Sequence, residues 1–127
     1  MNMNNDKANH LITEYVNGWI DGDAERVLNT LAPDCLIVES HGPRFEGRDE
    51  VEKWINDWNK DGSKVIEWEI RNKFLQDTNA AFQWYFRCIV KGREYKIDGA
   101  SFVEFRDERI SIIFEYMQTK PEAKKNQ

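Results

Sequence analysis

The chain has 127 residues, a length that suits one domain built around one hydrophobic core. Hydrophobic residues make up 40% and aromatic residues 13%, with five Trp and seven Phe, so much of that core must be ring surface. The formal charge of -5, with no basic stripe beyond Lys124-Lys125, argues against a nucleic-acid partner, and no apolar run is long enough to span a membrane.

The first ten residues, MNMNNDKANH, carry no apolar stretch of the kind a secretory signal needs, so the cytoplasm is the expected compartment. Residues 1–8 are expected to be flexible, 9–118 to form the domain and 119–127 to be a flexible polar tail. From about Asn9 to Ile20, Leu11, Ile12, Tyr15, Val16, Trp19 and Ile20 recur at the spacing of one helix face. Gly22 can stop that helix in a left-handed conformation, and Asp23 can cap a second one carrying Val27, Leu28 and Leu31. Pro33-Asp34 ends the second helix, because the residue before a proline avoids helical geometry. Cys35 to Ser40 reads as a short strand and His41-Gly42-Pro43 as a loop. Phe45 and Gly47 lead into a third helix, capped by Asp49 with Glu52 reaching back. Val51, Trp54, Ile55 and Trp58 form its inward face, and Asp61-Gly62 closes it.

After Gly62 the period changes to two. Ile66, Trp68, Ile70 and Phe74 alternate with charged residues. In Ala81 to Val90 the set Phe82, Trp84, Phe86, Cys88 and Val90 shares one face. Tyr95, Ile97, Gly99, Ser101, Val103 and Phe105 do so in the following strand, and Ile110, Ile112, Phe114 and Tyr116 in the last. Turns fall at Gln76–Asn79, Lys91-Gly92 and Arg106–Arg109. The order is helix, helix, strand, helix and four strands, which predicts an α+β domain: three N-terminal helices packed on a curved, mainly antiparallel sheet. The sheet's hollow would then be a pocket. Cys35 and Cys88 form no CxxC and sit in predicted strands, so buried free thiols are expected, with a disulfide as the alternative. Two His and two Cys give no metal-ligand spacing, and no glycine-rich phosphate loop is present, so neither metal nor cofactor is expected.

These residues in this order resemble the SnoaL-like proteins of the nuclear transport factor 2-like superfamily, related to polyketide cyclases and ketosteroid isomerases. The likeness is carried by Tyr15 and Trp19, by GDAERVLNTLAPDCLIVE, by FEGRDEVEKWI and by IDGASFVEFRDERISIIFEY. It implies an NTF2-like (cystatin-like) cone with a pocket between helices and sheet, usually in a homodimer. A shared fold does not fix an activity. In the isomerases a general base follows a Val-Glu pair. Here Val38-Glu39 is followed by Ser40, and serine without a neighbouring base does not abstract protons. The isomerases' neutral acid falls near Ser101, so that acid is absent as well.

Asp98 is the charged residue of most interest. Strand parity turns it outward, Asp98-Gly99 can be a hairpin turn, and a bulge at Gly99 would turn Asp98 into the pocket as an acid or base. His41, after the first strand, has the intrinsic pKa for proton transfer, and Glu39 could orient it; an ordinary loop histidine is the alternative. Only one of Glu39 and Ser40 can face inward. Tyr15, Trp19, Trp54, Trp58, Trp84 and Ser101 are the candidate ligand contacts, each with a plain core role as the alternative. Glu115 shares parity with Ile113 and Met117 and is placed on the outer face. Tyr85, Ile89, Phe102, Ile113 and Met117 would make that face apolar and suited to a homodimer. The expected function is binding of a small, largely apolar or aromatic metabolite, with cofactor-free isomerase, cyclase or dehydratase chemistry by Asp98 and His41. The alternatives are a non-catalytic binding module and a dimeric interaction domain whose hollow is plugged by indoles.

Overall fold

A computed structural model describes residues 3–118, so the predicted tail 119–127 lies outside the described residues. Helix α1 spans Asn5–Asp21 and begins four residues before the predicted start. The Asn4 side chain accepts hydrogen bonds from the backbone N–H groups of Asp6 and Lys7, and Ala8 is buried. Gly22 ends the helix at φ 66°, its N–H reaching the carbonyls of Gly18 and Trp19. Helix α2 covers only Ala24–Leu28. The predicted second helix extended past Leu31. Instead the Thr30 hydroxyl donates to the Val27 carbonyl, and Leu31 already opens strand β1, Leu31–Glu39.

A short strand β2, Arg44–Glu46, stands in the stretch expected only to lead into the third helix, and pairs antiparallel with β1. Helix α3 runs Gly47–Lys60. Its capping exchange lies upstream of the predicted Asp49: the Glu50 carboxylate accepts from the Glu46 N–H at 2.8 Å. Strands β3 (Lys64–Gln76), β4 (Asn79–Val90), β5 (Arg93–Arg106) and β6 (Arg109–Met117) follow. Both residues of the β4–β5 turn, Lys91 and Gly92, have positive φ, the twist that a tight hairpin needs.

The six strands are ordered β2-β1-β6-β5-β4-β3. All neighbours are antiparallel except β1 and β6, which run parallel. Helix α1 lies against β3 and α3 against β1, so the helices cover the concave side of a curved sheet and the fold is α+β. The core between them includes Ile12, Val16, Ile37, Ile55, Val103 and Ile113. Among the described residues no helix is long and apolar enough to cross a membrane. Cys35 and Cys88 are free and buried.

Two strands depart from simple alternation. In β3 the register slips between Val65 and Glu67 and again between Ile70 and Lys73. Each slip adds a residue and reverses the facing beyond it. Val65 is therefore buried, while Ile66 and Phe74, both expected inside, are exposed. In β6 the slip lies at Ser111: Phe105 pairs with Ile110 but Glu104 pairs with Ile112. Beyond it Ile113, Glu115 and Met117 point inward, and Ile112, Phe114 and Tyr116 take the outer face. This corrects the predicted parity of the last strand. The β4–β5 ladder, by contrast, runs without a break past Gly99.

Candidate functional site

The hollow of the cone is a cavity of about 710 Å3 that opens at one end. Its wall is mostly ring. Tyr15 and Trp19 come from α1, Trp54 and Trp58 from α3, Trp68 from β3, and Trp84 and Phe86 from β4. The helical indoles arrive there because Trp54 and Trp58 lie one turn apart on α3, and Trp19 lies one turn after Tyr15. The rings cross at steep angles. Trp19 and Trp58 meet at 87° with centroids 6.1 Å apart, and Trp68 meets Trp84 at 80°. Trp54 is held from outside by Phe45 of β2, which stacks on it at 3.9 Å and 4°.

The acidic part of the cavity wall belongs to a row of side chains across the sheet; His41, Lys96 and Gln118 are the other polar residues along the wall. Glu39 and Glu115 are direct partners in the parallel β1–β6 ladder, and Glu115 and Ser101 are partners in β5–β6. Residues opposite one another in a ladder share a face, so the three are side by side. The Ser101 hydroxyl accepts from Trp84 Nε1 at 2.9 Å and donates to Glu115 Oε2 at 3.5 Å. Glu115 is only 6% exposed. Burial raises its carboxyl well above the usual glutamate range; the Glu39 carboxylate adds to this by repelling a second charge and accepting a hydrogen bond, against a smaller opposing effect of Ser101. The Glu39 side chain is 16% exposed, and His41 Nε2 lies 3.7 Å from its Oε1.

Three buried polar atoms have no partner among the described residues: the Tyr15 hydroxyl, Trp19 Nε1 and Trp68 Nε1. All three belong to side chains that line the cavity. Burial, and then the charge of Glu115, push the Tyr15 phenol well above its usual value against a smaller opposing pull from the nearby Trp19 N–H, which falls outside hydrogen-bond geometry, so the phenol stays a donor. Buried donors without acceptors are costly, about 1–3 kcal/mol each, and a bound molecule can satisfy them.

Of the residues proposed from sequence, Tyr15, Trp19, Trp54, Trp58 and Trp84 all line the cavity, and His41 lies at its more exposed end, its side chain 47% accessible. Ser101 is fully buried behind Trp84 and acts on the row rather than facing the space. Asp98 is not in the site. Its side chain is 62% exposed on the outer face and lies 3.9 Å from Arg71, because no bulge at Gly99 turns it inward. Ser40 is exposed and Glu39 faces the cavity, the allocation that alternation allowed. Two residues were missing from the candidates: Glu115, misplaced by the irregularity at Ser111, and Trp68. One signal was available: Glu115 is the sole charge in ISIIFEYM, an apolar run in which an acid is out of place. Among the described residues no cluster of three or more His, Cys, Asp or Glu is arranged to hold a metal ion.

Residues 12–113 match the family model of the SnoaL-like domain. The chain belongs to the SnoaL-like family. Solved structures agree on the fold. An LEH-like epoxide hydrolase of M. tuberculosis superposes on this SnoaL-like chain with a TM-score of 0.79 at 14% identity, covering 88% of this chain and 83% of that one. A protein with a ketosteroid isomerase-like fold from Catenulispora acidiphila, in complex with trimethylamine, gives a TM-score of 0.74 at 16% identity over 84% and 83%. TerC, co-crystallised with polyporic acid, gives a TM-score of 0.74 at 15% identity over 89% and 92%. No curated protein matches in sequence.

Proposed function

We propose that this SnoaL-like protein binds a small, largely apolar or aromatic molecule in the cavity and moves a proton on it without a cofactor, as in an isomerisation, cyclisation or dehydration. The observation that carries the reading is the pairing of Glu39 with Glu115 inside a wall of rings. Two carboxyls so close and so dry do not both ionise readily, so the pair keeps one proton where exposed glutamates have lost theirs. Glu39, the less buried partner, is the base, and Glu115 is the acid. The unpartnered Tyr15, Trp19 and Trp68 donors suit an oxygen of the ligand whose charge grows as the proton leaves carbon. His41, beside Glu39 at the accessible end, exchanges that proton with water. Two fold neighbours crystallised with small organic molecules support a ligand in this hollow. The open volume speaks against a hollow plugged by its own indoles.

The test is deuterium exchange. Small cyclic ketones with exchangeable α-hydrogens are incubated with the protein in heavy water and followed by NMR. Wild type should speed exchange of at least one. Glu39→Gln and Glu115→Gln should lower the rate about 100-fold, and Asp98→Asn should leave it unchanged. Binding of the ketones without any exchange would leave a non-catalytic binding module as the function.

We also propose a two-fold homodimer through the outer sheet face. Phe102 and Tyr116 are exposed there and meet edge-to-face at 5.8 Å, with Phe114 opposite Phe102 in the ladder. Ile113 and Met117, first assigned to this face, are inside. Phe114 and Tyr116 take their place, so the face remains apolar.

A further inference from the structure

We infer that the cavity selects an organic cation, a protonated or quaternary amine carried on a largely apolar body. This names the ligand class for the site proposed above and rests on that reading. Three observations converge on it. The first is charge. Glu39 and Glu115 lie together on the cavity wall, and among the described residues no lysine or arginine forms an ion pair with either. Two basic residues also line the cavity: His41, 3.7 Å from Glu39 and half exposed, and Lys96, which is exposed. With one proton held between them, the pair still presents a negative charge to the cavity. That charge repels carboxylates and phosphates and attracts a cation.

The second is the wall. Trp19, Trp58, Trp68 and Trp84 cross at 80° to 87° in two T-shaped pairs, so their ring faces are turned in several directions. Crossed indoles around one space form an aromatic cage, and the negative face of an indole is the best of the side-chain surfaces for a cation. The third is the Tyr15 hydroxyl. It is buried, lines the cavity and has no partner among the described residues. A polar atom left unsatisfied in this way calls for a polar group on the guest, so pure hydrocarbon does not complete the site. The phenol oxygen can accept from an amine N–H, or its proton can go to a hydroxyl on the same molecule.

The experiment compares choline with dimethylbutanol, its uncharged isostere in which carbon replaces the ammonium nitrogen. Both carry a hydroxyl and have nearly the same shape. Binding is followed by tryptophan emission and by calorimetry, on wild type and on the double variant Glu39→Gln/Glu115→Gln, with circular dichroism melts to confirm that the variant is folded. Choline should bind wild type about tenfold or more tightly than dimethylbutanol. The double variant, with neither carboxylate left, should lose most of that preference. Equal affinities, or tighter binding of the alcohol, would overturn the cation and leave the ligand pocket standing. A preference for choline that survives in the double variant would overturn the role given to the carboxyl pair. No response to either probe, with no exchange of any ketone, would overturn the pocket reading and the cation with it.

Discussion

Glu115 has a consequence for stability as well as for chemistry. Its folded-state pKa is raised, chiefly by burial, whereas an unfolded glutamate titrates near about 4.3. Between those two values the native state binds more protons than the unfolded state, so the slope of stability against pH is negative. The contribution is therefore full below the ordinary glutamate value and is lost as pH rises through the raised one. Urea midpoints measured from acid to mildly alkaline pH should fall for wild type across that window. In Glu115→Gln the fall should shrink, leaving the variant the more stable protein at the alkaline end. A second residue sets the shape of the site. A Cβ on Gly99 would run into the Trp84 indole on one strand and the Tyr116 carbonyl on the next, both well inside van der Waals contact. Gly99→Ala should thus cost about 2–3 kcal/mol in urea denaturation. It should also push the indole into the cavity and weaken ligand binding.

The elements show which parts of this chain could be read in advance. Helices α1 and α3 were legible because their apolar residues return every third or fourth position, and the same spacing turned Tyr15, Trp19, Trp54 and Trp58 to one place. The hairpins were legible from Lys91-Gly92 and its counterparts. The slips in β3 and β6 were not. An extra residue such as Ser111 is held by pairing with a neighbouring strand, here with its hydroxyl on the Glu104 carbonyl at 3.0 Å, and local composition does not mark it. Everything downstream then faces the other way, which is why Glu115 seemed to belong outside and why Ile66 and Phe74 seemed to belong inside. The short β2 was hidden for a related reason, since three residues carry no period. Its effect on the site can be measured. Phe45 fixes Trp54 from behind by flat stacking, so Phe45→Ala should cost about 2 kcal/mol and change the indole emission before any ligand is added.

For the molecule as a whole, the two faces of one sheet do different work. The concave face closes on the helices and encloses the rings and the carboxyl row. The convex face carries Phe102, Phe114 and Tyr116 and remains open in a single chain. Light scattering at micromolar concentration should return twice the chain mass of 15.1 kDa. Phe102→Glu combined with Tyr116→Glu should return the mass of one chain with the circular dichroism unchanged; a wild-type mass equal to one chain would remove the dimer. The enclosed face carries the functional reading, and that reading depends on a proton kept by Glu115 beside Glu39. Carbon-13 NMR of the glutamate side-chain carboxyls, titrated in wild type and in Glu39→Gln, observes that proton directly. The expected result is a Glu115 signal that titrates well above every exposed glutamate and moves back toward them when Glu39 is replaced. A Glu115 signal that titrates together with the exposed glutamates in both proteins would contradict it.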